Sequence, residues 1–351
     1  MGRRVLVTGA DTHLGGRVVQ RLEADSGIDV VLGLGTGDPK MGFERAELVR
    51  SDQTYSTLSR IVRATRVDTV VHTSLIADST QAPSHTIHEV NVIGTMNLLA
   101  AADAADSSVR QLVVRSSGVV YGSAAWDPAT FAEDTPRTSA PRTDVERSLI
   151  EAEALVRDFA DHTPSTVVAI LRVADVLGSD VASAIGKNLS RPLCPYVLGF
   201  DPLLQFVEED DVVRALEFVT RHRLAGTYNV AGAGRLPLSE VAAICGTRLF
   251  PLPPVRPSLA IAPLVHLGIF GLPPELEALL RYGRGMDTSR LVAAGFVYRY
   301  TSSGAVQSFA SFARSRRLRK GAGRQPAGCL YEHDVEQCFR HPPSVVQPSG
   351  D

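Results

Sequence analysis

Short apolar runs alternate, over the first half of the chain, with stretches in which apolar residues return every third or fourth position. Runs at 5–8, 28–34, 46–49, 67–74, 110–117 and 166–173 are rich in β-branched residues, the pattern of strands covered on both faces. Between them, 14–22, 55–65, 85–105 and 144–160 carry helical spacing. Strand and helix in strict alternation predict an α/β fold: a Rossmann-type doubly wound parallel sheet. After Gly178 prolines at 192, 195, 202 and 237 break the rhythm. Two further strand patterns, 203–207 and 226–230, flank an acid-started helix. The domain expectation is therefore a Rossmann-type domain over 1–178 to which 205–232 returns, and a smaller C-terminal lobe from 179–204 and 233–312. The remainder, 313–351, reads as a basic, disordered tail.

Composition narrows the class. The chain has 351 residues, 44% of them hydrophobic, with a formal net charge of -2, which supports a substantial core and gives no sign of a nucleic-acid binder. Four scattered cysteines exclude a disulfide scaffold and point to a cytoplasmic setting. The first strand pattern starts so soon that no signal peptide is expected. The apolar stretch 258–272 is interrupted by Pro263, His266 and glycines. It is too short for a bilayer and reads as a buried or groove-lining helix.

The chemistry concentrates at the strand ends. Val5 to Gly16 is strand, glycine turn and helix start, an arrangement that aims helix N–H groups at a pyrophosphate. Gly9 and Gly15 fill the outer glycine places, whereas Thr12 stands in the middle one, with Asp11 adding a negative charge beside it. The second strand should end in an acid for the adenosine ribose; Gly35-Thr36-Gly37 is there instead, Asp38 follows, and no Arg or Lys is adjacent to favour a 2′-phosphate. In the tail, Cys329, His333, Cys338 and His341 are metal-capable residue types in no standard finger spacing, so no metal is assigned.

Seven segments in order, T-G-A-x-x-x-L-G-G, V-D-T-V-V-H-T-S, N-V-I-G-T-M-N-L-L, S-S-G-V-V-Y-G, L-R-V-A-D-V-L-G, F-V-E-E-D-D-V and G-T-Y-N-V-A-G, resemble extended short-chain dehydrogenases/reductases of the NAD-dependent epimerase/dehydratase family. A late R-Y-G-R-x-M-D-T-S-R stretch, Arg281 to Arg290, is similar to one in actinobacterial UDP-glucose 4-epimerase-like proteins. The resemblance implies a cofactor, NAD or NADP with NAD favoured. It assigns Gly9, Thr12, His13, Leu14, Gly15, Asp52, Ser74 and Asn91 to that cofactor and Ser117 to catalysis. It further implies a nucleotide-sugar substrate near Asp175, Arg281 and Arg284, and a homodimer through 84–105 and 144–160.

The departures are as informative. The family's Tyr and Lys positions are Val145 and Leu149, neither of which ionises. Asp175 replaces an Asn that meets substrate phosphates, and Leu204 replaces an Arg. Gly118-Val119 in place of Asp-Glu disfavours a dehydratase. Asp144 and Glu146 flank the missing tyrosine as substitute bases, or as acids that suit a helix N-terminus. Tyr121 reads as a packing residue. Two functions follow: an epimerase or reductase with another base, or a binding pseudoenzyme that kept the fold.

Overall fold

The computed structural model describes residues 2–179, 183–255 and 272–321, with no side-chain detail at 316–321. Two units are separable, 1–311 and 312–351. The first is built on seven parallel strands: β1 (Arg3–Thr8), β2 (Ile28–Gly35), β3 (Glu47–Arg50), β4 (Thr69–His72), β5 (Gln111–Ser117), β6 (Val167–Val173) and, after four short strands, β11 (Gly226–Val230). Their order is β11-β6-β5-β4-β1-β2-β3. This is a doubly wound α/β sheet, so the alternation in the sequence reported the fold class correctly. Val5, Leu6, Val7, Val70, Val71, Leu112 and Val113 are all fully buried, which explains their unbroken apolar runs.

Helices α1 (His13–Glu23), α2 (Tyr55–Thr65) and α5 (Asp144–His162) cover the sheet. The region from Ser84 to Ala102 is α3 (Ser84–His88), a π-turn (Glu89–Ile93) and α4 (Gly94–Ala102). The π-turn is where a buried polar residue, Asn91, is accommodated. Strand order reverses between β1 and β4, and the crevice outside their C-terminal ends is where ligands bind in such sheets.

Short elements follow: β7 (Asp175–Leu177), α6 (Ala184–Leu189), β8 (Leu193–Val197), β9 (Leu203–Leu204) and β10 (Phe206–Glu208). Helix α7 (Glu209–His222) packs beside α1 and is capped by Glu208, whose carboxylate accepts from the Asp210 N–H. After β11 come β12 (Leu236–Pro237), α8 (Leu238–Cys245), β13 (Arg248–Leu252), α9 (Pro274–Tyr282) and α10 (Ser289–Ala293). Pairings β10–β7 and β13–β8 are parallel, and β12–β9 is antiparallel. The last helix, Ser302–Gly321, runs past the point where the sequence suggested an irregular tail. Its residues include no proline and are mostly adequate helix formers. The stretch 256–271 and the tail cysteines and histidines lie outside the described residues.

Candidate functional site

A cleft of about 520 Å³ opens at the C-terminal edge of the sheet, lined at one end by Thr12, His13 and Leu14 and at the other by Asp175, Ser183 and Lys187. Its floor is Thr73 and Ser74 after β4, Arg115 and Ser117 on β5, and Ala174 after β6.

The glycine turn is tightly made. Gly9 has φ +73°, and a Cβ there would come within 2.9 Å of the Ser74 backbone. Gly15 sits so close to Gly9 that a Cβ would strike the Gly9 carbonyl. Thr12 is the N-cap of α1: its hydroxyl donates to the Gly9 carbonyl at 2.7 Å and accepts from the Gly15 N–H at 3.0 Å. The side chain therefore turns into the loop, which is why a threonine serves in the middle glycine place. With the Gly15 amide satisfied by the cap, the amides of His13 and Leu14 are left without an acceptor among the described residues, at the positive end of the helix dipole. His13 Nε2 lies 2.8 Å from Glu209, an acid that Arg17 also approaches at 3.7 Å.

Asp11 does not project over this cradle. Its Oδ2 accepts from the Thr36 and Gly37 amides at 3.0 and 2.9 Å, at the exit of β2.

The floor is a hydroxyl network. Thr73 donates to the Thr8 carbonyl at 2.6 Å, and the Ser74 hydroxyl is 3.2 Å from that of Thr8. Thr8 in turn meets His72, which is fully buried and whose pKa burial pushes down to about 4. Ser117 caps a single 3-10 turn (Gly118–Tyr121), accepting from the Val119 N–H at 3.3 Å. Asn91 is buried to 0% exposure and clamps the segment after β4. Its carbonyl oxygen accepts from the Ile76 N–H at 2.7 Å; its amide donates to the Ile76 carbonyl at 2.8 Å and to the Ser148 hydroxyl at 3.0 Å. It acts by shaping the cleft wall rather than by facing the cleft.

Helix α5 turns the face that bears Val145 and Leu149 into the core. Val145 and Leu149 are both 0% exposed and belong to the main apolar cluster. No α5 residue lines the cleft among the described residues. Glu146 is spoken for by Arg137 and by the Arg142 N–H, while Asp144 is at the surface beside Arg147. Tyr121 is buried, stacks on Phe131, and donates to Asn229 at 2.8 Å.

The other sequence candidates separate. Asp52 is exposed and accepts from the Thr54 N–H in the turn before α2, which holds its carboxyl below the usual range. It is not a lining residue of the cleft. Arg281 is held by Glu277 at 3.1 Å and the Pro254 carbonyl at 2.9 Å, away from the lining residues. Arg284 is brought to Asp175, at 3.5 Å, in a smaller pocket shared with Asp78 and Glu275. Burial raises the carboxyl pKa of Asp175 and of Glu275, and Asp78 adds to both. One oxygen each of Asp78 and Glu275 is buried with no partner among the described residues. Three carboxylates against one guanidinium are a poor receptor for a diphosphate.

Sequence reasoning missed the cleft's cations. Arg115 donates to the Leu75 carbonyl at 2.9 Å, and its Nε is buried with no partner among the described residues. Burial lowers its pKa to about 10. Of the three lysines in the chain, Lys40 and Lys187 both line the cleft, and Lys187 donates to Thr80 at 3.0 Å. The scarcity of lysine was the one available signal. Among the described residues no His, Cys, Asp and Glu group is arranged for a metal, and no helix is long and apolar enough to cross a membrane.

Sheet order, glycine turn and cleft define a Rossmann-type α/β protein of the extended kind. The chain belongs to the NAD dependent epimerase/dehydratase family, whose model matches residues 5–231. It is 33% identical over 326 residues to an uncharacterized protein of Mycobacterium tuberculosis, covering 90% of this chain and 84% of that one. UDP-glucose 4-epimerase of Pasteurella multocida is 26% identical over 209 residues, 55% of this chain and 60% of the other. Among solved structures, UDP-glucose 4-epimerase of Thermotoga maritima with UDP-glucose superposes with a TM-score of 0.69 at 16% identity, covering 90% and 99% of the two chains. The Thermus thermophilus UDP-glucose 4-epimerase complex with NAD gives 0.68 at 20%, covering 89% and 99%. At such identities the structures establish the shared fold.

Proposed function

We propose that this protein binds NAD in the cleft but does not perform tyrosinate-driven epimerisation: it is a dinucleotide-binding member of the family without the usual proton-transfer pair. The observation that carries this reading is the contrast between the two walls. The glycine-turn wall keeps two amides that have no acceptor among the described residues, a close backbone approach at Gly9 and Gly15, and small residues at Thr73, Ser74 and Ala174. On the α5 side nothing reaches the cleft: Val145 and Leu149 are buried in the apolar core, and no α5 residue is among the described lining residues. His13 and Leu14 would hold the pyrophosphate, with Ser74 and Ser117 nearby. When bound, NAD supplies a hydride acceptor. A proton at a substrate hydroxyl would find no phenolate to take it, and general acid–base catalysis is worth ~10²–10⁴-fold.

The nucleotide-sugar complexes of structural neighbours support a second, sugar-like ligand in the same cleft. The carboxylates Asp78, Asp175 and Glu275 weigh against a diphosphate seated beside Arg284.

The test is direct. Purified protein is titrated with NADH by fluorescence and calorimetry, then assayed for UDP-galactose and UDP-glucose interconversion. Saturable NADH binding with no turnover is expected. Robust turnover that Ser117→Ala abolishes would overturn the non-catalytic reading, and failure to bind any dinucleotide at millimolar concentration would overturn the cofactor assignment.

A further inference from the structure

The end of β2 has no acid of its own, yet it is not bare. Gly35 closes the strand, and a Cβ built on it would lie 2.6 Å from Asp11 Cγ and 2.7 Å from Asp11 Oδ1. The carboxylate of Asp11, reaching across from the β1–α1 loop, fills the space a side chain at position 35 would take. It is fixed there by three donors on one oxygen: the Thr36 N–H at 3.0 Å, the Gly37 N–H at 2.9 Å and the Thr36 hydroxyl at 3.2 Å. The other oxygen, Oδ1, has no hydrogen bond among the described residues. An acid at the end of this strand is what discriminates a ribose 2′-hydroxyl from a 2′-phosphate. The glycine at position 35 and the aspartate at position 11 are thus one device: the strand gives up its side chain so that the neighbouring loop's acid fits.

We propose that Asp11 is the specificity-determining residue for the adenosine ribose, accepting from a 2′-hydroxyl through Oδ1 and repelling a 2′-phosphate, so that the cleft selects NAD(H) over NADP(H). This rests on the dinucleotide reading given above. Arg50 is paired with Asp38, and Lys40 lines the cleft together with Thr12, His13 and Leu14 at the start of α1.

NADH and NADPH are titrated separately into wild-type protein, Asp11→Asn and Asp11→Ala, with thermal unfolding of each apoprotein as the fold control. A charge-assisted hydrogen bond and a like-charge clash predict that wild type prefers NADH by roughly 30-fold or more. Asp11→Asn, which keeps an acceptor for the Thr36 and Gly37 amides, should narrow that preference about tenfold, mostly by tighter NADPH binding. Asp11→Ala should narrow it as far or further. Equal or tighter NADPH binding by wild type overturns the proposal. So does an equal weakening of both dinucleotides in Asp11→Asn and Asp11→Ala, the signature of a loop-shaping role alone. If wild type binds neither dinucleotide, the cofactor reading itself fails and this proposal with it; binding without discrimination overturns only the role of Asp11.

Discussion

Grafting the missing lysine back is the sharpest perturbation of the α5 wall. Leu149 is 0% exposed and sits within the main apolar cluster. Replacing it with lysine forfeits most of the ~2–3 kcal/mol that burial of a leucine side chain contributes. It also places an ammonium where no carboxylate is available. The acid one turn on, Glu153, already receives Arg172, Arg157 and the Ser116 hydroxyl. Burying that charge, or deprotonating the amine to avoid doing so, adds a penalty of a few kcal/mol. A total near 5 kcal/mol is a large part of the whole stability of a typical domain. Urea unfolding followed by circular dichroism reads it. With a slope of about 3 kcal/mol/M, the midpoint of Leu149→Lys should fall by about 1.5 M. The same preparation of Val145→Tyr/Leu149→Lys should show no UDP-galactose turnover. A loss under about 1 kcal/mol together with the appearance of turnover would refute the reasoning, because it would mean that this face of α5 opens on the cleft.

Three further outcomes follow from buried polar groups. His72 has its pKa lowered by burial from 6.5 to about 4, so the unfolded chain takes up its proton first. The stability it confers is present in full above pH 6.5 and is lost as the pH falls from there through about 4, a range of roughly 3 kcal/mol; His72→Gln should flatten that part of the pH–stability curve. Asn91→Ala leaves the Ile76 N–H and carbonyl unpaired, which should destabilise by about 3 kcal/mol and also weaken NADH binding, since Ile76 lines the cleft. Arg172→Met strands Glu153, buried to 2% exposure, with only Arg157 and Ser116; a loss of about 3–5 kcal/mol in denaturant unfolding is expected.

The parallel sheet was legible because its strands are buried on both faces, and a run such as Val5 to Val7 can be little else. Helix α5 was legible from spacing, and Ser148 then located the two apolar positions at 145 and 149. Three things were not legible, each because it depends on a side-chain direction that spacing does not encode. Thr12 looked like an intrusion on the pyrophosphate approach until its hydroxyl was found tied to Gly9 and Gly15. Asp11 looked like a stray charge in the same place, yet it leans toward β2. Arg115 sits in an apolar strand pattern and gave no hint that its guanidinium would line the cleft floor. The π-turn at Glu89–Ile93 was likewise invisible, since the sequence there keeps an ordinary helical rhythm.

The pairing of the two apolar substitutions on α5 has a physical logic of its own. Residues four apart on a helix share one face, so a tyrosine at 145 and a lysine at 149 would be neighbours, the ammonium stabilising the phenolate. Losing the tyrosine alone would leave a largely desolvated ammonium without its partner, which is strongly unfavourable. Losing the lysine alone would leave a phenol with no charge to lower its pKa and therefore little use as a base. Replacing both with Val and Leu removes the buried charge and adds apolar area to the core, each change in the stabilising direction. At the glycine turn, by contrast, Gly9, Gly15 and the capping Thr12 leave the His13 and Leu14 amides without acceptors among the described residues. A chain under no demand to hold an anion there would gain by satisfying those amides. An apolar α5 face in the core beside a glycine turn still open to an anion is the pattern that the reading proposed above, a bound dinucleotide without proton transfer, expects.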